Sequence, residues 1–337
     1  MKKTLIASAI AAISFSGTAL AMENASELAA RMDSMPSVYG NIQLAITHTN
    51  GDNAGSEVDL FDNGSTIGFK HEHMLAPGIT GFFKAELEFN ADNKAGNSGL
   101  DSFDEAYIGV KGDSFGQVWV GSDDSTYERA IDEIYNYWEV GTGISGNYDT
   151  GEGDLVQYST PSFGGLTLGA AVQVNGDAKT GGKSYPYQVA AVYAVDALEL
   201  AFAVDSNDGN LGYSEDTLLS VNNENTYGVR ASYNLDNLRL TGSYETRKDV
   251  ADVFGVMGAY TMGKNQFALS YQLQDKDNAA GDKNDTIAIQ ALRNLSDNMY
   301  VYFEGYISNA DVANEYTVDG LPTDERTIAA VGATYYF

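Results

Sequence analysis

The sequence predicts an all-β chain closed into a transmembrane antiparallel up-and-down β-barrel of about sixteen strands. Three observations point there. Apolar and polar residues alternate with period two over most of the chain, tight turns alternate with longer polar loops, and the composition is rich in glycine (36) and tyrosine (22) but poor in proline (5). Such a composition suits strands and interfacial aromatic girdles.

The chain opens on a basic start, Met1-Lys2-Lys3, followed by an apolar run, Thr4 to Phe15, and a small-x-small site at Ala19-Leu20-Ala21. Together these predict a secretory signal peptide over residues 1–21, cleaved near Ala21. The apolar run is too short to cross a membrane as a helix. Residues 22–36 place Leu28, Met32 and Met35 at helical spacing. They predict a short periplasmic lead-in with too few turns to stand alone as a helix. There is no cysteine, so an exported chain of this length has to hold itself together without disulfides. With 47 Asp+Glu against 19 Lys+Arg, the formal charge of -28 argues against a nucleic-acid partner.

From residue 37 onward the pattern is that of strands. In Asn237 to Arg247, Leu238, Leu240, Gly242 and Tyr244 share one face, and Arg239, Thr241, Ser243, Glu245 and Arg247 the other. Gln266 to Gln274 repeats the alternation, as do Gly165 to Asn175, Glu199 to Val204 and Tyr227 to Asn234. One face of each strand is therefore apolar and the other wet. Tight turns are expected at Ala76–Gly78, Gly112–Gly116, Pro161–Gly165, Val195–Ala197, Leu235–Asn237, Gly263–Asn265 and Ser296–Asn298, with a brief connection near Lys248-Asp249. Longer loops are expected at Asn50–Asn63, Ala91–Asp101, Asp123–Gly153, Gly176–Ser184, Ser206–Asn223, Asp275–Lys283 and Asn309–Asp324. Short turns on one rim and long loops on the other are the pattern of bacterial outer-membrane barrels. A soluble sandwich needs no such segregation, and a propeller would show a blade motif every ~40–50 residues, which is absent.

Within this frame three stretches look familiar: Gly64 to Asn90 (GSTIGFKHEHMLAPGITGFFKAELEFN), Phe103 to Gly121 (FDEAYIGVKGDSFGQVWVG) and Asp154 to Leu166 (DLVQYSTPSFGGL). With the aromatic C-terminus, their order and spacing resemble the Gram-negative general porins over essentially the whole mature chain. The resemblance implies a homotrimer of sixteen-stranded barrels in the outer membrane, in contact with its lipid and lipopolysaccharide, over residues 37–337. It also implies an inward-folded third loop that constricts the pore, here about Asp123–Gly153. The function it implies is passive diffusion of ions and small hydrophilic solutes, with no cofactor. A substrate-specific porin and a structural or adhesive surface barrel are the alternatives. The chain departs from the family where arginines often line the wall facing the loop. Those places hold Thr66, Asp104, Ser122 and the Gly151-Glu152-Gly153 region.

The loop contains Asp123, Asp124, Glu128, Asp132 and Glu133 near its start, then Glu139, Asp149 and Glu152, against Arg129 alone. Carboxylates ringing a narrow pore concentrate cations and repel anions, so a cation preference is expected. The aromatic run Ile134–Trp138 is expected to pack the loop onto the inner wall, with a sugar-stacking platform as the sharper idea. Lys70, Lys84, Arg230, Arg239, Arg247 and Arg293, with Asp104, are assigned to the lumen wall, because a charge facing lipid at mid-depth costs ~2–4 kcal/mol for Arg or Lys.

Chemistry beyond a channel finds little support. His71 and His73 share a strand face but lack a third ligand, so no metal site is predicted. Asp205–Asn210 has the flavour of a calcium loop without its distal glutamate. Three histidines and no G-x-S-x-G elbow argue against a hydrolase, and no catalytic residue is assigned. The tail Thr327–Phe337 places Thr327, Ala329, Val331, Ala333, Tyr335 and Phe337 on one face, expected to meet lipid or a neighbouring subunit. It is expected to close the barrel against a first strand near Val38–Thr49. By the same resemblance, Tyr335 and Phe337 serve as the signal that outer-membrane assembly machinery reads.

Overall fold

The computed structural model describes residues 35–93, 100–141, 143–174, 185–208 and 224–337. The signal peptide, its cleavage site and nearly all of the lead-in lie outside them, as do most of the loops expected at 176–184 and 206–223.

The alternating sequence folds as alternation demands. The strands are β1 (Ser37–Gly51), β2 (Gly55–Asp62), β3 (Thr66–Ala76), β4 (Ile79–Phe89), β5 (Leu100–Gly112), β6 (Gly116–Ser122), β7 (Leu155–Ser159), β8 (Leu166–Gln173), β9 (Tyr187–Val195) and β10 (Leu198–Asp205). They continue as β11 (Thr226–Leu235), β12 (Leu238–Arg247), β13 (Ala251–Met262), β14 (Asn265–Lys276), β15 (Lys283–Asn294), β16 (Met299–Ala310), β17 (Tyr316–Val318), β18 (Leu321–Thr323) and β19 (Glu325–Tyr336). Sequential wall strands pair antiparallel, and β19 returns to β1 from Asn41↔Tyr336 to Gly51↔Arg326. Both β2 and β3 pair with β1, the first with its end and the second with its start, so they act as one wall strand broken at residues 63–65. With β17 and β18 forming a separate hairpin, the wall has sixteen strands and no open edge. Closure satisfies every ladder, which hydrocarbon requires.

Along β11, Tyr227, Val229 and Tyr233 face outward and are exposed, while Thr226, Arg230 and Ser232 face the lumen and are buried. Among the described residues no helix is long and apolar enough to cross a membrane; the crossings are strands. The expected tight turns all appear. Asp196 and Asp236 adopt positive φ in two of them (48° and 50°), a conformation Asp tolerates.

The seam is held by backbone and by shape. Phe337 and Gly40 exchange hydrogen bonds at 3.0 and 3.2 Å, and a Cβ on Gly40 would run into the Phe337 ring. A larger residue there would have to displace the terminal phenylalanine.

Two expectations change. Asn50–Asn63 is not a long loop: β1 turns at Asp52–Ala54 and returns as β2, with Ile46 opposite Leu60 and His48 opposite Val58 on the outward face. Asn53 and Gly55, both at positive φ, make the tight turn that an open loop would not need. The segment 123–153 also contains a short helix, α1 (Thr126–Ile131), followed by one 3-10 turn at Tyr135–Tyr137. The sequence Ser125-Thr126-Tyr127-Glu128 has the S-x-x-E spacing of a capping box, and Ser125 Oγ accepts the Glu128 N–H at 3.1 Å.

Candidate functional site

The segment between β6 and β7 lies against the polar inner face of the far wall. Tyr127, Ala130 and Ile131 of α1 pack on Ala190, Ala201 and Ala203 of β9 and β10. Small residues on that face allow the approach: a Cβ at Gly228 would collide with Tyr127 and Ile131. Further along, Ile134 and Trp138 pack against Met257, Ala268, Ala288, Tyr306 and Ile328. The aromatic run is thus seated in the wall as expected, with Trp138 edge-on to Tyr306 at 6.0 Å.

Hydrogen bonds finish the attachment. Glu304, fully buried, accepts the Glu139 and Val140 N–H groups at 2.9 and 3.0 Å. Gln272 both accepts from and donates to Ile144. Asn147 donates to the Ala251 carbonyl at 2.8 Å, and Thr150 donates twice to Asp205. Asp205, read above as part of a calcium-like loop, is therefore committed to this segment.

Three of the wall arginines meet it. Arg230 donates to Glu133, to Glu199 at 2.6 Å and to the Ala130 carbonyl at 2.8 Å. Arg239 grips both Glu133 oxygens at 2.6 and 2.7 Å, and Arg247 reaches the Asn147 carbonyl at 3.0 Å and Asp149 at 3.4 Å. Burial alone would raise the Glu133 pKa. The hydrogen bonds from Arg239 and Thr241 and the charge of Arg230 outweigh it and hold the carboxyl down at about 2. Glu133 is thus a permanent anion locked in an arginine fork.

The opposite side of the segment differs. Asp123 is tied to Arg129 at 2.8 Å and to the Trp119 indole N–H at 2.6 Å, and the guanidinium lies over the Trp119 ring at 5.1 Å. Asp124, Glu128 and Glu152 bring carboxylate oxygens within 4.8 Å of one another. Across from them, Glu86, Asp104 and Glu105 of β4 and β5 do the same. Asp104 joins that group because a register shift opposite Glu86 and Leu87 bulges the strand, so Asp104 and Glu105 both turn lumenward. Lys84 reaches Glu105 at 2.5 Å and Glu86 at 3.7 Å.

Crowding has consequences. Desolvation, followed by repulsion from Glu128 and from Glu105 of β5, pushes Asp124 up to about 6. Desolvation and a hydrogen bond shared with Glu128 push Glu152 to about 8, with Asp104 contributing from the wall. Glu139 rises to about 7 through burial, against the hydrogen bonds from the Tyr300 hydroxyl at 2.9 and 3.0 Å. Beside the two acidic groups lies a cavity of about 370 Å³, lined among others by Phe82, Lys84, Glu105, Tyr107, Trp119 and Arg129.

The assignments made from sequence therefore divide. Asp124 and Glu128 share an acidic cluster; Asp123 is neutralised locally; Glu133 is clamped; Asp132, 4% exposed, is buried beneath the segment and cannot line an aqueous path. Lys70 stacks over the Tyr39 ring at 4.7 Å, on lumen parity with Lys84. Arg293 is a correction. It shares parity with the exposed Ile287 and Ile289, lies at the end of β15 and donates to Asn265 at 2.9 Å, so it is outside the lumen. At the rim an outward charge costs only ~0–1 kcal/mol, which removes the reason for sending it inward. His71 and His73 stack on each other at 5.5 Å on the outward parity of β3. Sequence reasoning missed Glu304 and the role of Glu245. Both lie on lumen parity in their strands, and an acid flanked by inward tyrosines (Tyr302, Tyr306) was the available signal.

A model of the Gram-negative porin family matches residues 7–312. The chain is 30% identical, over 386 aligned positions covering 100% of both chains, to a Halomonas protein named monosaccharide porin. It is equally similar, with the same coverage, to the major outer membrane protein of Halomonas elongata. Among solved structures, Salmonella typhi OmpF in complex with daunomycin superposes with a TM-score of 0.73 at 19% identity, covering 90% of this chain and 98% of that one. An anion-selective porin from Comamonas acidovorans gives 0.67 at 19% identity, covering 90% and 99%. At these identities the structural likeness is one of fold, and the anion selectivity is that protein's own.

Proposed function

This chain belongs to the Gram-negative porin family and is an outer-membrane channel rather than an enzyme, and we propose that it passes ions and small hydrophilic solutes by passive diffusion with a preference for cations. The third loop, about Asp123–Gly153, is the constriction, and the field of its free acidic face sets the preference. The observation that carries this reading is the pair of facing carboxylate groups, Glu86/Asp104/Glu105 and Asp124/Glu128/Glu152. The bases beside them are each already paired, Lys84 with Glu105, Lys111 with Glu72 and Arg129 with Asp123, so the surplus charge is negative. In a narrow low-dielectric passage such a surplus raises local cation concentration and excludes anions. Further parts of the reading are a signal peptide over 1–21, a homotrimer contacting lipid and lipopolysaccharide, and recognition of Tyr335 and Phe337 by outer-membrane assembly machinery.

Planar-bilayer recording in a salt gradient tests the selectivity. Conductance steps in groups of three with a cation-selective reversal potential are expected; an anion-selective potential sinks the acidic-constriction argument. A second reading draws on the relative named monosaccharide porin and on the cavity rimmed by Phe82, Tyr107 and Trp119. It predicts that a monosaccharide blocks the ion current in the millimolar range, whereas a general channel would not be blocked there.

A further inference from the structure

The acids that fasten the constriction segment to the wall do not all face a base. Glu304 needs none: the Glu139 and Val140 N–H groups, Gln290 Nε2 and the Tyr306 hydroxyl all donate to it. Asp132 is in a different position. It lies just past α1, 4% exposed, close enough to Glu245 of β12 for the two carboxyls to repel each other; Glu245 is 3% exposed and lies against Gly146 of the segment. The Tyr127 hydroxyl donates to Glu245 at 2.9 Å, and the Tyr148 ring lies 5.0 Å from that of Tyr127. One Asp132 oxygen, Oδ2, is nonetheless buried with no donor.

Among the described residues no base is paired with either carboxyl. Glu128 of α1, Asp205 of β10 and the phenols of Tyr127, Tyr135 and Tyr148 are acidic or neutral. Arg230 and Arg239 are committed to Glu133 and Glu199. Arg247, two residues on along the same face, turns to the Asn147 carbonyl and Asp149. Two buried carboxylates this close, paired with no base among the described residues, resist both being ionised. A proton held by the pair removes that repulsion and gives one of the two carboxyls an O–H to donate.

We propose that Asp132 and Glu245 are positioning residues that share one proton, and that this proton latches the constriction segment to the barrel wall. Burial already pushes Asp132 up to about 6, in the same sense. The proton belongs to the seated state, so seating is complete at acid and neutral pH and is lost as pH rises and the pair's last proton leaves. The latch rests on the constriction reading only for its effect on current.

The test combines three measurements on the full-length protein. First, the protonated-carboxyl band in infrared spectra at pH 7, to which Glu139 and Glu152 also contribute, should contain a component that is missing from both Glu245→Gln and Asp132→Asn and is lost from wild type at alkaline pH. Second, amide-exchange protection of residues 123–148 should fall over the same alkaline range in wild type but not in Glu245→Gln, whose amide N–H donates without titrating. Third, conductance should rise with that loss of protection. Identical carboxyl bands in wild type and both variants overturn the proposal, as does protection that titrates alike in wild type and Glu245→Gln. Protection that falls with no change in current supports the latch and sinks the constriction reading instead.

Discussion

The two sides of the segment 123–153 are built on opposite principles. Toward β9–β16 the segment is tied down by specific partners, the Asp132–Glu245 pair being the exception. Glu133 sits in two guanidinium forks, Glu304 collects backbone amides, and Tyr127 and Trp138 are wedged among alanines. Toward β4 and β5 acids crowd against acids, and what bases exist are outnumbered. The first side minimises free energy; the second keeps charges under mutual repulsion, which a fold retains only if something else compensates. On the reading proposed above, the difference gives each side a job: one holds the segment, the other presents a field to the lumen. Charge alone does not distinguish them, since both are rich in Asp and Glu. Partnership does.

The largest effect should come from breaking the holding side. Arg230 is almost wholly buried, so Arg230→Ala leaves Glu133 and Glu199 facing one fewer base. Removing one member of a buried pair costs about 3–5 kcal/mol. That cost should fall on the segment, not the ladder: the barrel should still form and resist heat in detergent, while limited proteolysis cuts within 123–153 and channel noise rises. A clean loss of the barrel would show that the arginines support the wall itself.

Next in size is the presenting side. Asp124→Asn, Glu128→Gln and Glu152→Gln together should move the reversal potential toward that of a non-selective channel and leave proteolytic resistance unchanged. Acidity should mimic this in the wild type. Asp124 and Glu152 are raised to about 6 and about 8, so lowering the pH from 9 to 5 protonates them and reduces cation preference, and raising it restores it. A selectivity flat over that range would mean that these carboxyls do not face the permeating ions.

How much of this was legible beforehand follows from which interactions are local. The barrel, its tight turns and its closing tail were readable because strand parity is a property of neighbouring residues, as in NLRLTGSYETR. Parity put Arg230, Arg239 and Arg247 on one face, and all three bond to the segment 123–153. The same logic misplaced Arg293, because both columns of β15 are apolar near its end, with Ala291 on one and Leu292 on the other. It could not have foreseen Asp104 and Glu105 on one side, since a bulge suspends the alternation. The sorting of the loop acids was beyond it. Whether an acid is clamped, buried or free depends on residues ~70–170 positions away meeting it in space, such as Arg230, Glu245 and Glu304, and no periodicity encodes that.

The smallest effect probes the one residue that blurs the two sides. Arg129 projects from α1 on the presenting side, yet it is held like a member of the other: paired with Asp123, bonded to Gln157 at 2.7 Å and stacked on Trp119. Its side chain is still 35% exposed, so the pair is screened and worth only ~0.2–1 kcal/mol. Arg129→Gln should therefore leave stability almost untouched and free Asp123 to act on the lumen, raising cation preference by a few-fold at most. The direction matters more than the size. If removing this base lowers cation preference, the guanidinium is organising the acids around it, and the presenting side is as built as the holding side; if preference rises, the acidic face works as a plain field of surplus charge.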